Sequence, residues 1–282
     1  MNAVLKIHSR DRPGIVASVA QLIFEAGGNI LDAQQHREDL DDQFFMYVRF
    51  DASALVGARA SFDERLHDLA AKGDFVWSLT YADRRRRMAI MVSRYDHCLY
   101  DLLLRHKYGE LDLDIPVIIS NHPDLAPVAD HFGVSYHHVP RSSENREEAD
   151  AKALSLFLEN EIDFVALARY MQILTPVLLD AYPDAVINVH HGFLPAFKGA
   201  KPYHQAYERG VKIVGATSHY ATEDLDMGPI IAQETERVHH GYSPDDMIGI
   251  GRSLETRVLA AAVKAHAEDR IIVFRGRTIV FD

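Results

Sequence analysis

Residues 185–195 read AVINVHHGFLP, a short apolar run broken by Asn188 and followed by two histidines, a glycine and a proline. A brief apolar run closed by turn residues is the pattern of a strand buried in a parallel sheet. In open α/β sheets, ligands bind beyond the carboxyl ends of the strands. An amide, an imidazole and a Gly-Pro loop therefore stand where a site is expected. Asn188 and His190 are two apart, so in extended chain their side chains share one side, while His191 points to the other. A polar loop with a satisfied histidine is the alternative.

Further apolar runs of this kind occupy 89–92, 117–120 and 164–167, with helical stretches at 97–106, 125–132 and 147–160. Strands alternating with helices predict a doubly wound α/β domain with a mostly parallel sheet and right-handed crossovers. Downstream come strands at 213–220 and 229–235, a long helix at 245–267, and a terminal pair, 271–275 and 278–281, around Gly276. The first 82 residues read differently. Residues 2–8 alternate apolar and polar, as a half-buried strand does. Ile15, Val16, Val19, Leu22, Ile23 and Ala26 then recur at helical spacing until Gly27 and Gly28. Strands at 29–35 and 44–50, a helix carrying Phe62, Leu66, Leu69 and Ala70, and a strand at 75–81 complete a β-α-β-β-α-β order. That order predicts a ferredoxin-like α+β domain over 1–82. Four arginines follow Asp83, and like charges keep such a run solvated. Residues 83–87 are accordingly expected to link it to a second domain, 88–282.

The composition sets the class. A chain of 282 residues accommodates two domains, and 48% hydrophobic with 25% charged residues can fill their cores. Thirty basic against forty-one acidic side chains leave a net charge of −11. This argues against nucleic-acid binding by phosphate neutralisation and against a polybasic membrane surface. A single cysteine, Cys98, forms no internal disulfide and no thiol cluster, which suits a reducing compartment. The opening MNAVLKIHSRDRPG has no apolar signal core and no stretch has transmembrane length, so a cytoplasmic location is expected. Beside Leu99, Leu102 and Leu103 at a helix start, Cys98 reads as packing rather than as a nucleophile. Sixteen histidines, three pairs among them (His137-His138, His190-His191, His239-His240), are the unusual count.

A second polar segment, TEDLDMGP at 222–229, follows the strand ending in His219-Tyr220. A carboxylate facing an imidazole orients it and can position water; a solvated acidic turn is the plainer reading. Together, NVHHGFLPAFKGAKPYHQAYERGVKIVGATSHYATEDLDMGPII (188–231) resembles the signature of the 10-formyltetrahydrofolate formyltransferase fold: Asn-x-His, Leu-Pro, a spacer, then Leu-Asp-x-Gly-Pro. The resemblance runs from Met88 to Asp282. Nucleotide-using transferases of this fold carry a Gly-rich turn after the first strand, where backbone amides hold phosphate. Here that stretch, VSRYDHCL (92–99), contains no glycine. The first domain, with SRDRPGIVASVAQLIFEAGGNI (9–30), resembles an ACT domain. An ACT domain joined to this fold resembles the formyltetrahydrofolate deformylases, as do RYDHCLYDLL, ARYMQILTP and LPAFKGAKPYHQAYERG. Gly192 departs from the serine expected there.

The resemblance implies hydrolysis of 10-formyltetrahydrofolate to formate and tetrahydrofolate, supplying formate for purine synthesis and balancing folate pools. It implies Asn188, His190 and Asp226 as catalytic residues: the Asn188 amide and a protonated His190 stabilise the oxyanion, and Asp226 positions or deprotonates water. For Asp226 to act as a base, its pKa must rise or be coupled to His190. Met171, Gln172, Ile173 and Leu174, with Thr222, Glu223, Asp224 and Leu225, are the implied folate-binding segments. His191, His204 and His219 are candidates for the water side of the pocket, with core or surface histidine the alternative for each. A zinc site on His190, His191 and Asp226 is disfavoured, because adjacent histidines on a strand diverge. No metal or permanently bound cofactor is expected. The ACT resemblance implies an amino-acid effector and a homo-oligomer, with neither nucleic acid nor membrane as partner. A formyltransferase to an amine acceptor, and a silent folate or amino-acid sensor, are the rival readings.

Overall fold

In the computed structural model, which describes residues 1–196 and 202–282, the alternation at the N-terminus becomes β1 (Asn2–Arg10), with every second side chain buried. It is followed by α1 (Ile15–Glu25), β2 (Asn29–Glu38), β3 (Gln43–Asp51), α2 (Arg59–Gly73) and β4 (Val76–Tyr81). The strands form a four-stranded sheet in the order β2-β3-β1-β4, with β3 and β4 antiparallel to β1. Val19, Ile23, Phe62 and Leu66 of the two helices join Leu5, Ile7, Val48 and Phe50 of the sheet in one core.

The rest of the chain begins with β5 (Arg86–Val92), α3 (His97–Lys107), β6 (Leu113–Ser120), α4 (Ala126–Phe132), β7 (Ser135–His138), α5 (Arg146–Glu159) and β8 (Phe164–Ala168). Then come α6 (Pro176–Leu179), β9 (Val186–His190), α7 (Pro202–Glu208), β10 (Ile213–Tyr220), β11 (Ile230–Arg237), α8 (Pro244–Ala267), β12 (Ile271–Phe274) and β13 (Arg277–Val280). Seven strands make one sheet ordered β11-β10-β9-β8-β5-β6-β7. Strands β5 to β9 are mutually parallel, and β10 and β11 run antiparallel at one edge. The expected fold class, an α+β ACT-like domain followed by a mostly parallel formyltransferase-like domain, is the one found. Ala89, Met91, Val165 and Leu167 face Ala149, Ala153 and Phe157 of α5. The long α8 begins with a capping box on Ser243 and Asp246 and buries Leu254, Val258, Leu259 and Ala262. No helix among the described residues is long and apolar enough to cross a membrane.

Two details depart from the sequence reading. Arg86 and Arg87 are not free linker but open β5; the Arg87 amide donates to Asp163 at 2.7 Å and its Nε to the Asn160 carbonyl at 2.7 Å. Strand hydrogen bonding overcomes the preference of the charges for solvent. At the other end, the chain does not remain with one unit to Asp282. The two compact units are Met1–Arg84 with Asp269–Ile272 and Ile279–Asp282, and Arg85–Glu268 with Val273–Thr278. In the first of these, Lys6 Nζ donates to the Ile271 carbonyl at 3.0 Å, and the Phe281 ring stacks 5.6 Å from that of Tyr47.

Candidate active site

Strand order reverses at β5, with β6 and β7 laid to one side and β8 and β9 to the other. A cavity of about 640 Å³ opens at that switch point, beyond the carboxyl ends of β5, β8 and β9, as expected for an open α/β sheet. Tyr95 and His97 reach it from after β5, residues 169–174 from after β8, and residues 188–191 from the end of β9.

On β9, Asn188 and His190 project to the same side, as their spacing predicts. His219 lies opposite Asn188 in the antiparallel β9–β10 register, and the Asn188 amide nitrogen is 3.2 Å from His219 Nε2. His219 Nδ1 is 2.7 Å from the Tyr220 carbonyl, which accepts only from an N–H. These two contacts assign the proton to Nδ1 and leave Nε2 to accept from Asn188. One Asn188 N–H is thereby fixed, and the other is available to a ligand.

Asp226 comes from the loop after β10. Its Oδ2 lies 3.1 Å from His190 Nδ1 and its Oδ1 3.7 Å from His219 Nε2. Its backbone is left-handed, at φ 57°, a sparsely populated conformation that aspartate tolerates better than most residues. The turn also needs Gly228, where a Cβ would stand 1.8 Å from the Tyr220 carbonyl oxygen. Burial of the Asp226 carboxyl opposes ionisation, but hydrogen bonding to His190 outweighs it. The group is held well below the usual carboxylate range. Of the two routes by which Asp226 could act as a base, a raised pKa is therefore not the one this geometry provides; coupling to His190 is. His190 itself is 4% exposed, and its Nε2 has no hydrogen-bond partner among the described residues.

Met171, Gln172, Ile173 and Leu174 all line the cavity, as does Leu225. Thr222, Glu223 and Asp224 stand exposed on their loop and are not among the described lining residues. His191 and His219 line it from within, His204 from an exposed position. Burial first, and then the charge of Arg169, pushes His191 down to about 4. Residues 197–201 of the signature lie outside the described residues.

The sequence reading missed a cluster facing this triad. Glu255 of α8, 2% exposed, lies 2.8 Å from His97 Nε2, 3.4 Å from Arg169 Nε and 3.3 Å from the Tyr203 hydroxyl. Tyr203 fits there because α8 carries glycine at 251, where a Cβ would meet the ring at 2.1 Å. Two sequence signals pointed to the cluster: a glutamate inside the buried stripe of α8, and an arginine directly after the wholly apolar FVALA of β8. His97, Cys98 and Glu255 are the described residues whose ligand atoms cluster within 4.8 Å. They suit a metal poorly: burial raises the Cys98 thiol well above its ordinary value, and Glu255 already has His97 and Arg169 beside it.

Known proteins agree with this geometry. A formyl transferase family model matches residues 86–263 and an ACT domain model residues 3–61. A formyltetrahydrofolate deformylase of Bacillus subtilis is 44% identical over 99% of this chain and 93% of its own length. The chain belongs to the formyltetrahydrofolate deformylase family. The Synechocystis deformylase is 45% identical over 100% of this chain and 99% of its own. The crystal structure of the Pseudomonas syringae deformylase superposes with a TM-score of 0.93 at 44% identity, covering 100% of this chain and 94% of that one. Asn188, His190 and Asp226 thus lie together in the formyl transferase part of a deformylase-family chain.

Proposed function

We propose that this chain hydrolyses 10-formyltetrahydrofolate to formate and tetrahydrofolate, with Asn188, His190 and Asp226 carrying the chemistry. The observation that bears most weight is His190: Nδ1 is engaged by an ionised aspartate while Nε2 is buried and unpartnered in a cavity large enough for a folate. The apolar segment 171–174 and Leu225 take the folate rings, which sets the formyl group beside the triad.

Asp226 orients a water molecule against the formyl carbon. As the C–O bond forms, charge accumulates on the formyl oxygen and draws the proton of His190 toward it. The loss of that positive charge from beside Asp226 lets the carboxylate accept one water proton. Protonated His190 donates to that oxygen from Nε2, and the free Asn188 N–H does the same. Such preorganised donors act where charge develops, each typically giving about 10²–10³ in rate. Collapse breaks the C–N10 bond, the electron pair stays on nitrogen, and the proton held by Asp226 goes to N10. The second water proton is lost as the product becomes formate.

Water as the acceptor is supported by the turn after β5. It carries no phosphate-holding glycines, and Tyr95 and His97 from it occupy the cavity wall. For residues 1–82 we propose a dimerisation and amino-acid-sensing role, with the catalytic unit beginning at Arg85 and a cytoplasmic homo-oligomer as the working form. Purified protein with 10-formyltetrahydrofolate in buffer tests the reading. Equal amounts of formate and tetrahydrofolate are expected without any amine. Turnover that requires an added amine would make the chain a transferase, and folate binding without turnover would make it a sensor.

A further inference from the structure

The cavity has an end that the hydrolytic steps leave unused. Arg169 follows β8 directly and is 8% exposed. Its backbone is left-handed, at φ 61°, a conformation that is strained outside glycine and collects at ligand sites. The guanidinium lies 4.9 Å above the Tyr95 ring and 3.4 Å from Glu255 through Nε. Neither Nε nor Nη1 has a hydrogen-bond partner among the described residues. Glu255 balances the charge of Arg169 and sits in ion-pair range of Nε, so Nη1 is the donor left open to the cavity.

A buried cation with open N–H groups is costly until a ligand completes it. The ligand that matches a planar guanidinium is a carboxylate. Tyr95 under the guanidinium, Tyr203 on Glu255 and His191 beside Tyr203 line the cavity with Arg169. His191, kept neutral by burial and by the Arg169 charge, separates this end from His190; the two histidine rings are 5.3 Å apart.

We propose that Arg169 is the receiving site for the formate product, drawing the carboxylate away from His190 before folate leaves. The proposal rests on the deformylase reading. The glutamyl carboxylates of the folate are the other source of the same chemistry. They suit the apolar part of the lining better, where Met171 (50% exposed), Ile173 (47%) and Leu225 (57%) offer side chains for the body of the folate.

The test is titration of the resting, full-length protein with ¹³C-formate in the presence of tetrahydrofolate, followed by NMR. Arg169→Lys keeps the charge and removes the planar guanidinium with its Nη1 donor. The pair Arg169→Met with Glu255→Gln keeps the buried cluster neutral should the single change unfold the chain. Formate is expected to bind both variants at least about tenfold more weakly than wild type, the scale of one charge-assisted contact. Unaltered formate affinity in both variants, or no formate binding to the wild type, overturns the proposal. So does a loss confined to the KM of glutamyl substrate and absent for a folate lacking the glutamyl group. Formate bound at Arg169 with 10-formyltetrahydrofolate left intact would sink the deformylase reading instead.

Discussion

His219 stands directly across the β9–β10 ladder from Asn188, with its Nε2 3.2 Å from the Asn188 amide. Directly opposed residues in an antiparallel pair are close enough to hold one another. The histidine thus fixes which way the amide presents its second N–H. His219→Ala should lower kcat about 10- to 100-fold with little change in KM, and Asn188→Ala about 10²–10³-fold. Because one residue acts through the other, the double variant should be no slower than Asn188→Ala alone. Additive losses would show that His219 acts separately.

The cavity-lining segment 171–174 is clamped from behind. Asp150 has a fully buried side chain and pairs with Arg141 through both oxygens. It also accepts from the Thr175 amide at 2.7 Å and the Thr175 hydroxyl at 2.8 Å, while Arg141 donates to the Ile173 carbonyl at 2.5 Å. Removing one member strands a buried charge. Asp150→Ala should cost about 3–5 kcal/mol in urea unfolding. At permissive temperature it should raise KM more than it lowers kcat, since the loop binds rather than reacts. A variant of unchanged stability would contradict the clamp.

Acid should destabilise the protein through His191. Its pKa lies at about 4 in the folded chain against an ordinary value of 6.5. Between those values the unfolded chain binds a proton that the folded chain refuses, so stability falls as pH drops from 6.5 toward 4. The contribution is at most about 3 kcal/mol. His191→Gln should flatten that part of a stability–pH profile measured by denaturant unfolding. A profile of unchanged slope would remove His191 as the cause.

The parts of the site that could be read from sequence are those governed by local geometry. Asn188 and His190 share a side because strand periodicity is two, and the strand was marked by its apolar run. The ferredoxin-like order and the 24-residue α8 were legible from periodicity in the same way. β7, by contrast, reads SYHH; as an edge strand it needs no apolar run, and nothing announced it. The triad closes through the β9–β10 pairing and a left-handed turn at Asp226, neither of which spacing alone specifies. The Arg169–Glu255–His97 cluster joins residues up to 158 positions apart, so only the oddity of a charge in an apolar context hinted at it. Arg84 and Arg85 of the arginine run are exposed, as their charge argues, whereas strand pairing draws Arg86 and Arg87 into β5.

In the proposed reaction the Asp226 carboxylate, 3.1 Å from His190 Nδ1, drives water addition to the formyl group. Asp226→Asn keeps the shape and removes the charge. The most direct measurement is single-turnover release of formate from bound 10-formyltetrahydrofolate by the wild type and this variant, with folate affinity measured alongside. Formate release is expected to be lost, with folate binding largely intact. Near-normal release from the variant would contradict that role for Asp226.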